Sequence, residues 1–209
     1  MMALVLRELR LAASAGNALL PVIFFLLVAT LFPFAVGPDA PLLARTGGGA
    51  LWMAALLAAL LPVERLIEPD RASGVLDQLA VRGMSEEAVA AAKLAGHWLS
   101  FGPALMIAAV PGAMLSKLPQ DALLRLELGL LAGTPGLAAL SLMTAGFTIG
   151  LRKSGALAGL LMLPLAVPLL IFGAGMEAPG AFQLLASVSL LLVALCPFVV
   201  GATIRSART

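Results

Sequence analysis

An all-α, polytopic membrane protein with six transmembrane helices is the fold class this sequence predicts, and three observations predict it. First, 61% of the 209 residues are apolar, only 11% are charged and tyrosine is absent. Helices facing water need polar faces that this composition does not supply, so lipid must be the solvent. Second, apolar runs recur six times between short connectors, and a span takes about 20 residues, which leaves room for one transmembrane domain over 1–209 and nothing more. Third, lysines and arginines are unequally shared between the two sides that those runs define.

Taken in order, the stretch 1–16 sets Arg7, Glu8 and Arg10 among Leu4, Val5, Leu6, Leu9 and Leu11. Leucines then share one helical face, the pattern of an interfacial helix ahead of the first span. The first span, Ala18 to Val36, exceeds a signal-peptide core, and a cut after Gly37 would set Pro38 beside the scissile bond, so the segment is expected to stay. Further spans are expected at about Thr46 to Val63, Trp98 to Leu115, Leu128 to Leu151, Ser154 to Gly175 and Pro179 to Ile204.

Arg7, Arg10, Arg65, Arg71, Arg82, Lys93, Arg152, Lys153, Arg205 and Arg208 then fall on one side, against Arg45, Lys117 and Arg125 on the other. With an even number of spans, this bias places both termini in the cytoplasm. Arg152 and Lys153 read as topology signals and contacts to lipid phosphates.

The one substantial cytoplasmic segment is Glu64 to Gly96. In it Ser73 is expected to cap a short helix, about 74–80, with Val75, Leu76, Leu79 and Ala80 on one face and a stop near Gly83. Such an apolar face has two sinks, the lipid interface or a cytoplasmic partner's groove. Ser85 followed by Glu86 and Glu87 reads as an N-cap with an acidic first turn, so a helix should run from there through Lys93 into the third span. Prolines such as Pro103, Pro135 and Pro164 favour bends, and glycines four apart (Gly129 and Gly133, Gly146 and Gly150, Gly155 and Gly159) allow close helix approach.

Catalytic chemistry is not written into this chain. There is no phosphate-binding G-x-x-x-x-G-K-[ST] loop, no H-E-x-x-H, no G-x-S-x-G and no pair of cysteines. No catalytic residue, bound cofactor or metal ligand set is therefore assigned. None of the expected span cores carries Asp, Glu, Lys or Arg, as a proton relay or intramembrane base would require, so energy for any work must enter from another subunit at the cytoplasmic face. His97, the only histidine, opens the third span beside Trp98 and reads either as a subunit or haem contact or as an interfacial anchor. One imidazole without a second ligand favours the anchor. Glu64 and Arg65 end the second span, where they either meet another subunit or solvate a helix end; Cys196 reads as an inert buried small residue.

Several stretches carry a resemblance that composition cannot supply: Thr30–Pro38 (TLFPFAVGP), Leu42–Arg45, Leu51–Trp52, Glu64–Leu66, Ser73–Leu79 (SGVLDQL), Ala92–Trp98 (AKLAGHW), Gly133–Leu137 (GTPGL) and Leu163–Phe172. Spread over nearly the whole chain, they make it similar to the haem exporter B family, CcmB. The resemblance implies an ABC-2-type permease-like fold and the membrane subunit of an ATP-binding-cassette complex in cytochrome c biogenesis, in the bacterial inner membrane. ATP would be bound and hydrolysed by a cytoplasmic partner, with haem as cargo or, instead, hydrolysis used to release a haem-loaded periplasmic chaperone. Further partners it implies are a haem-handling membrane protein, a small single-span protein and membrane lipids, with two copies of the chain per complex and no nucleic acid. The short cytoplasmic helix becomes the coupling helix, with Val75, Leu76, Asp77 and Leu79, together with Glu64 and Arg65, as the residues facing the ATPase. An exporter permease for another substrate and a membrane scaffold without energy coupling are the alternatives.

Overall fold

The computed structural model describes residues 2–14, 19–151 and 154–207. Among them the helices are α1 (Met2–Ser14), α2 (Leu19–Val36), α3 (Ala40–Leu60), α4 (Val63–Leu66), α5 (Glu68–Ala72), α6 (Val75–Val81), α7 (Glu86–Leu115), α8 (Gln120–Phe147), α9 (Ser154–Ala174) and α10 (Ala181–Ser206). Six of them, α2, α3 and α7 to α10, are long and apolar enough to cross a membrane, as expected. Arg152, Lys153 and Arg208, singled out above as topology charges, lie outside the described residues.

Two spans begin earlier than their apolar runs, because local polar chemistry sets helix starts. Helix α3 opens at Ala40 rather than Thr46: Asp39 accepts from the Leu42 amide at 3.1 Å, and Pro41 fits a first turn that needs no donor. Helix α8 opens at Gln120 rather than Leu128, its first turns carrying an Asp121–Arg125 pair at 2.6 Å across one helical turn. Helix α7 runs unbroken from its Ser85 cap, which accepts from the Ala88 amide at 3.2 Å, to Leu115.

Helix α8 forms the centre of the bundle, packing on α3, α7, α9 and α10. Around it the other spans turn large apolar side chains outward, including Ile23, Leu27, Leu160 and Leu190. In water that surface would be a liability; in lipid it is the expected exterior. Trp52 of α3 is fully buried between α8 and α9. It lies against Gly129 and Gly133 of α8 and Gly173 of α9, where a Cβ on Gly129 would already stand 3.3 Å from the ring and one on Gly133 or Gly173 would overlap it. Glycine is required at the closest of these positions because the ring occupies the volume of the missing side chain.

Helix α1, the end of α10 and the short helices gather at one end of the bundle. The Glu68 carboxylate on α5 accepts from the Gly150 amide after α8 at 3.1 Å, and Arg205 near the end of α10 pairs with Glu87 at the start of α7. Helix α1 packs along α7 at the same end. Its close approach is set by Gly96, where a Cβ would meet the Glu8 Cβ at 2.5 Å.

Candidate functional site

The two features at this end that distinguish it from plain helix packing are a buried ion cluster and the exposed face of α6. Asp70 of α5 is only 6% exposed. Arg7 of α1 donates to it from two nitrogens, at 2.5 and 3.1 Å, and Lys93 of α7 closes on the same carboxylate. Lys93 is itself buried; it also donates to the Leu66 carbonyl at 3.0 Å and pairs with Glu8 at 3.3 Å, while Arg7 donates to Glu8 at 2.7 Å. Burial alone would push the Asp70 carboxyl up, but hydrogen bonds from Arg7 and the charge of Lys93 outweigh it and hold the group below the ordinary aspartate value. The same hydrogen bond to Asp70 raises the Arg7 guanidinium above its usual range. Three helices distant in sequence are thus tied by four charges that neutralise one another.

These four residues were not foreseen as a site. Arg7 and Glu8, two of the charges of the expected interfacial helix, turn inward, whereas Met2, Ala3, Leu6, Arg10 and Leu11 of α1 are exposed. The physical reason is that a cation and a carboxylate gain more from buried partners of opposite charge than the leucines gain beyond what lipid already gives them. One signal was available in the sequence: Lys93 stands in the otherwise apolar run Ala90 to Ala95, where a charge needs a partner.

Helix α6 corrects two expectations. Its cap is Gly74, at φ +72°, and not Ser73, whose hydroxyl donates back to the Pro69 carbonyl at 2.7 Å and closes α5. The stop at Gly83, φ +78°, is as expected. More important, the stripe of Leu76 and Leu79 faces the protein's own bundle: Leu76 is 4% exposed and shares a small crevice with Met84, Val89 and Ile204, and Leu79 packs at the edge of the same core. That face is already filled. Asp77, Gln78, Val81 and Arg82 point outward instead, with Val81 89% exposed, and Val75 lies half-buried between the two faces.

His97 and Trp98 also sit differently from an interfacial anchor. His97 is buried against Phe101, ring centroids 4.8 Å apart, and Trp98 donates its indole N–H to the Thr134 hydroxyl on α8 at 3.1 Å. Trp98 thus ties α7 to α8, whereas the ring contact of His97 lies within α7. Among the described residues no three of His, Cys, Asp and Glu come together to hold a metal ion. Beside His97 lies a cavity of about 250 Å³ whose polar wall is formed by Glu8, Arg65, Asp70 and Lys93. Arg65 and Glu64 are exposed on α4. Cys196 is wholly buried, as expected, its thiol 3.6 Å from the Ala139 carbonyl.

Six long apolar helices whose outer surface is apolar define a multi-pass helical membrane protein. The chain belongs to the CcmB protein family, whose family model matches residues 1–207. It is 45% identical over 214 residues to heme exporter protein B of Rhodobacter capsulatus, with 98% of each chain covered. The heme exporter protein B of Paracoccus denitrificans is 42% identical over the same span, and that of Escherichia coli K12 is 38% identical over 210 residues, covering 95% of this chain and 94% of that one.

Proposed function

We propose that this chain is the permease subunit of an ATP-binding-cassette complex of cytochrome c maturation, resident in the bacterial inner membrane with both termini in the cytoplasm. Its relatives carry the name heme exporter protein B. Haem, or the release of a haem-loaded periplasmic chaperone, is the work it serves, and a cytoplasmic ATPase subunit supplies the energy. A haem-handling membrane protein and a small single-span protein complete the assembly.

One observation carries this reading. Helix α6 presents a nearly fully exposed valine, Val81, flanked by Asp77, Gln78 and Arg82, at the end that carries most of the basic residues. In a partner's groove this side chain would be an apolar centre inside a polar rim. Burying Val81 in a groove of the ATPase contributes on the order of 1.5–3 kcal/mol, so Val81→Asp should weaken docking by at least about tenfold. The variant protein should insert normally, while the ATPase no longer copurifies and cytochrome c maturation stops. Copurification of the ATPase in normal amount would rule out α6 as the docking element.

Orientation is tested separately. A cysteine at Pro41, exposed near the start of α3, should react with a membrane-impermeant thiol reagent applied from the periplasm, and one at Ala72, exposed on α5, should react only after the membrane is opened. Native Cys196 is buried and gives little background. The reverse pattern would invert the topology.

A further inference from the structure

Docking explains the outer face of α6 but not why the neighbouring helix α5 is held so firmly. A five-residue helix has little stability of its own. Yet its Asp70 is gripped by Arg7 of α1 and Lys93 of α7, both buried or half-buried. The other acid of the cluster, Glu8, lies on α1, so its pairs with Lys93 and Arg7 tie α1 to α7 and leave α5 out. Within the cluster Asp70 alone adds α5. On its other side α5 runs directly into α6 through Ser73 and Gly74, a turn held by the Ser73 hydroxyl on the Pro69 carbonyl and by the Ser73 amide on the same oxygen at 3.0 Å.

Other contacts hold this segment, among them several of a different kind. Leu76 against Val89 and Ile204 is an apolar contact, which resists compression but has no preferred direction and can slide. The Glu68–Arg71 pair lies within α5 and is exposed, and the Glu68 bond to Gly150 is a single exposed contact on the connector after α8. Lys93 donating to the Leu66 carbonyl holds α4, the helix before α5. A buried carboxylate that takes two bonds from Arg7 and one from Lys93 is a directional link.

We propose that Asp70 is a positioning residue that transmits movement of α6 to α1 and α7, so that the N-terminal helix and the third span move with the docking helix during the ATP-driven cycle. This rests on the reading of α6 as the element the ATPase engages. In this role Asp70 acts by making α1, α5 and α7 one mechanical body.

The variant that isolates this role is Asp70→Asn. It keeps the shape of the side chain, and Arg7 and Lys93 each retain Glu8, so no buried cation is left without a carboxylate. In a complex purified with its ATPase, the subunit should be bound in normal amount and hydrolysis should stay within about twofold of wild type, while cytochrome c maturation falls by about tenfold or more. Asp70→Glu, which restores the charge, should recover much of the maturation. Maturation at the wild-type level with the ATPase bound overturns the proposal, and so does release of the ATPase, which would make Asp70 part of the docking surface. A wild-type complex without any ATPase would instead remove the function on which it rests.

A measurement on the otherwise wild-type complex needs no folding of the variant. Spin labels at Ala72, exposed at the end of α5 and outside the docking face, and at Leu6 should keep their separation when nucleotide binds, whereas labels at Ala72 and Leu160 on α9 should change theirs. A changed Ala72–Leu6 distance, or two fixed distances, overturns the link.

Discussion

Gly133→Ala and Gly173→Ala are each expected to destabilise the protein by about 1–3 kcal/mol, and Trp52→Ala by about 3–5 kcal/mol. The indole of Trp52 fills the space that side chains at these glycines would need, on α8 from one side and on α9 from the other. Neither wall can retreat, because α8 is the packed centre of the bundle and α9 leans on it. In lipid the apolar area itself supplies little drive for helices to associate, so close packing around such a ring carries much of the stability. Thermal unfolding in detergent micelles measures this. The test specific to the contact is coupling: in a Trp52→Leu background the cost of Gly173→Ala should largely disappear, since the ring it strikes is gone. Equal costs in both backgrounds would mean that the glycines serve something other than Trp52.

Lys93→Met should be the most damaging single change at the ion cluster, costing about 3–5 kcal/mol. Methionine matches the lysine in length but supplies no charge, and it leaves Asp70 and Glu8, both largely buried, to share Arg7 alone. The Leu66 carbonyl loses its donor as well. Asp70→Asn should cost clearly less, because every cation keeps a carboxylate. The order of the two melting temperatures is the observable, and a Lys93→Met protein as stable as wild type would show that the cluster is solvated rather than closed. Glu68 gives a contrast: the hydrogen bond from Arg71 lowers its carboxyl below the ordinary value, yet the pair is exposed and should contribute little when removed.

Much of the architecture was legible because lipid imposes a simple rule. Apolar runs must be helices that satisfy their own backbone, so six runs give six spans whatever the tertiary detail. The long α7 was legible through its Ser85 cap, and the end of α6 through Gly83, since both signals are local backbone chemistry. The starts of α3 and α8 were missed where hydropathy was followed beyond its reach, into polar first turns held by Asp39 and by the Asp121–Arg125 pair. Family membership was legible as well, because its motifs are spread along the chain and need no folding to be read.

By itself, then, the sequence determined the solvent, the number of spans, the existence of a short helix in the one long connector and the family. It did so because each depends on composition, periodicity or residue order within a few turns of chain. Only the tertiary structure decided which face of that helix is free. Leu76 and Leu79 form a stripe that any helical wheel displays, but whether the stripe meets a partner or the protein's own α7 and α10 depends on where Val89 and Ile204 arrive in space. The same holds for Arg7, Asp70 and Lys93, far apart in sequence, whose mutual neutralisation exists only once three helices meet. Trp52 is alike in this, its pocket assembled from glycines on two other helices. Long-range contacts of this kind are set by how helices pack, and no local pattern in the chain encodes them.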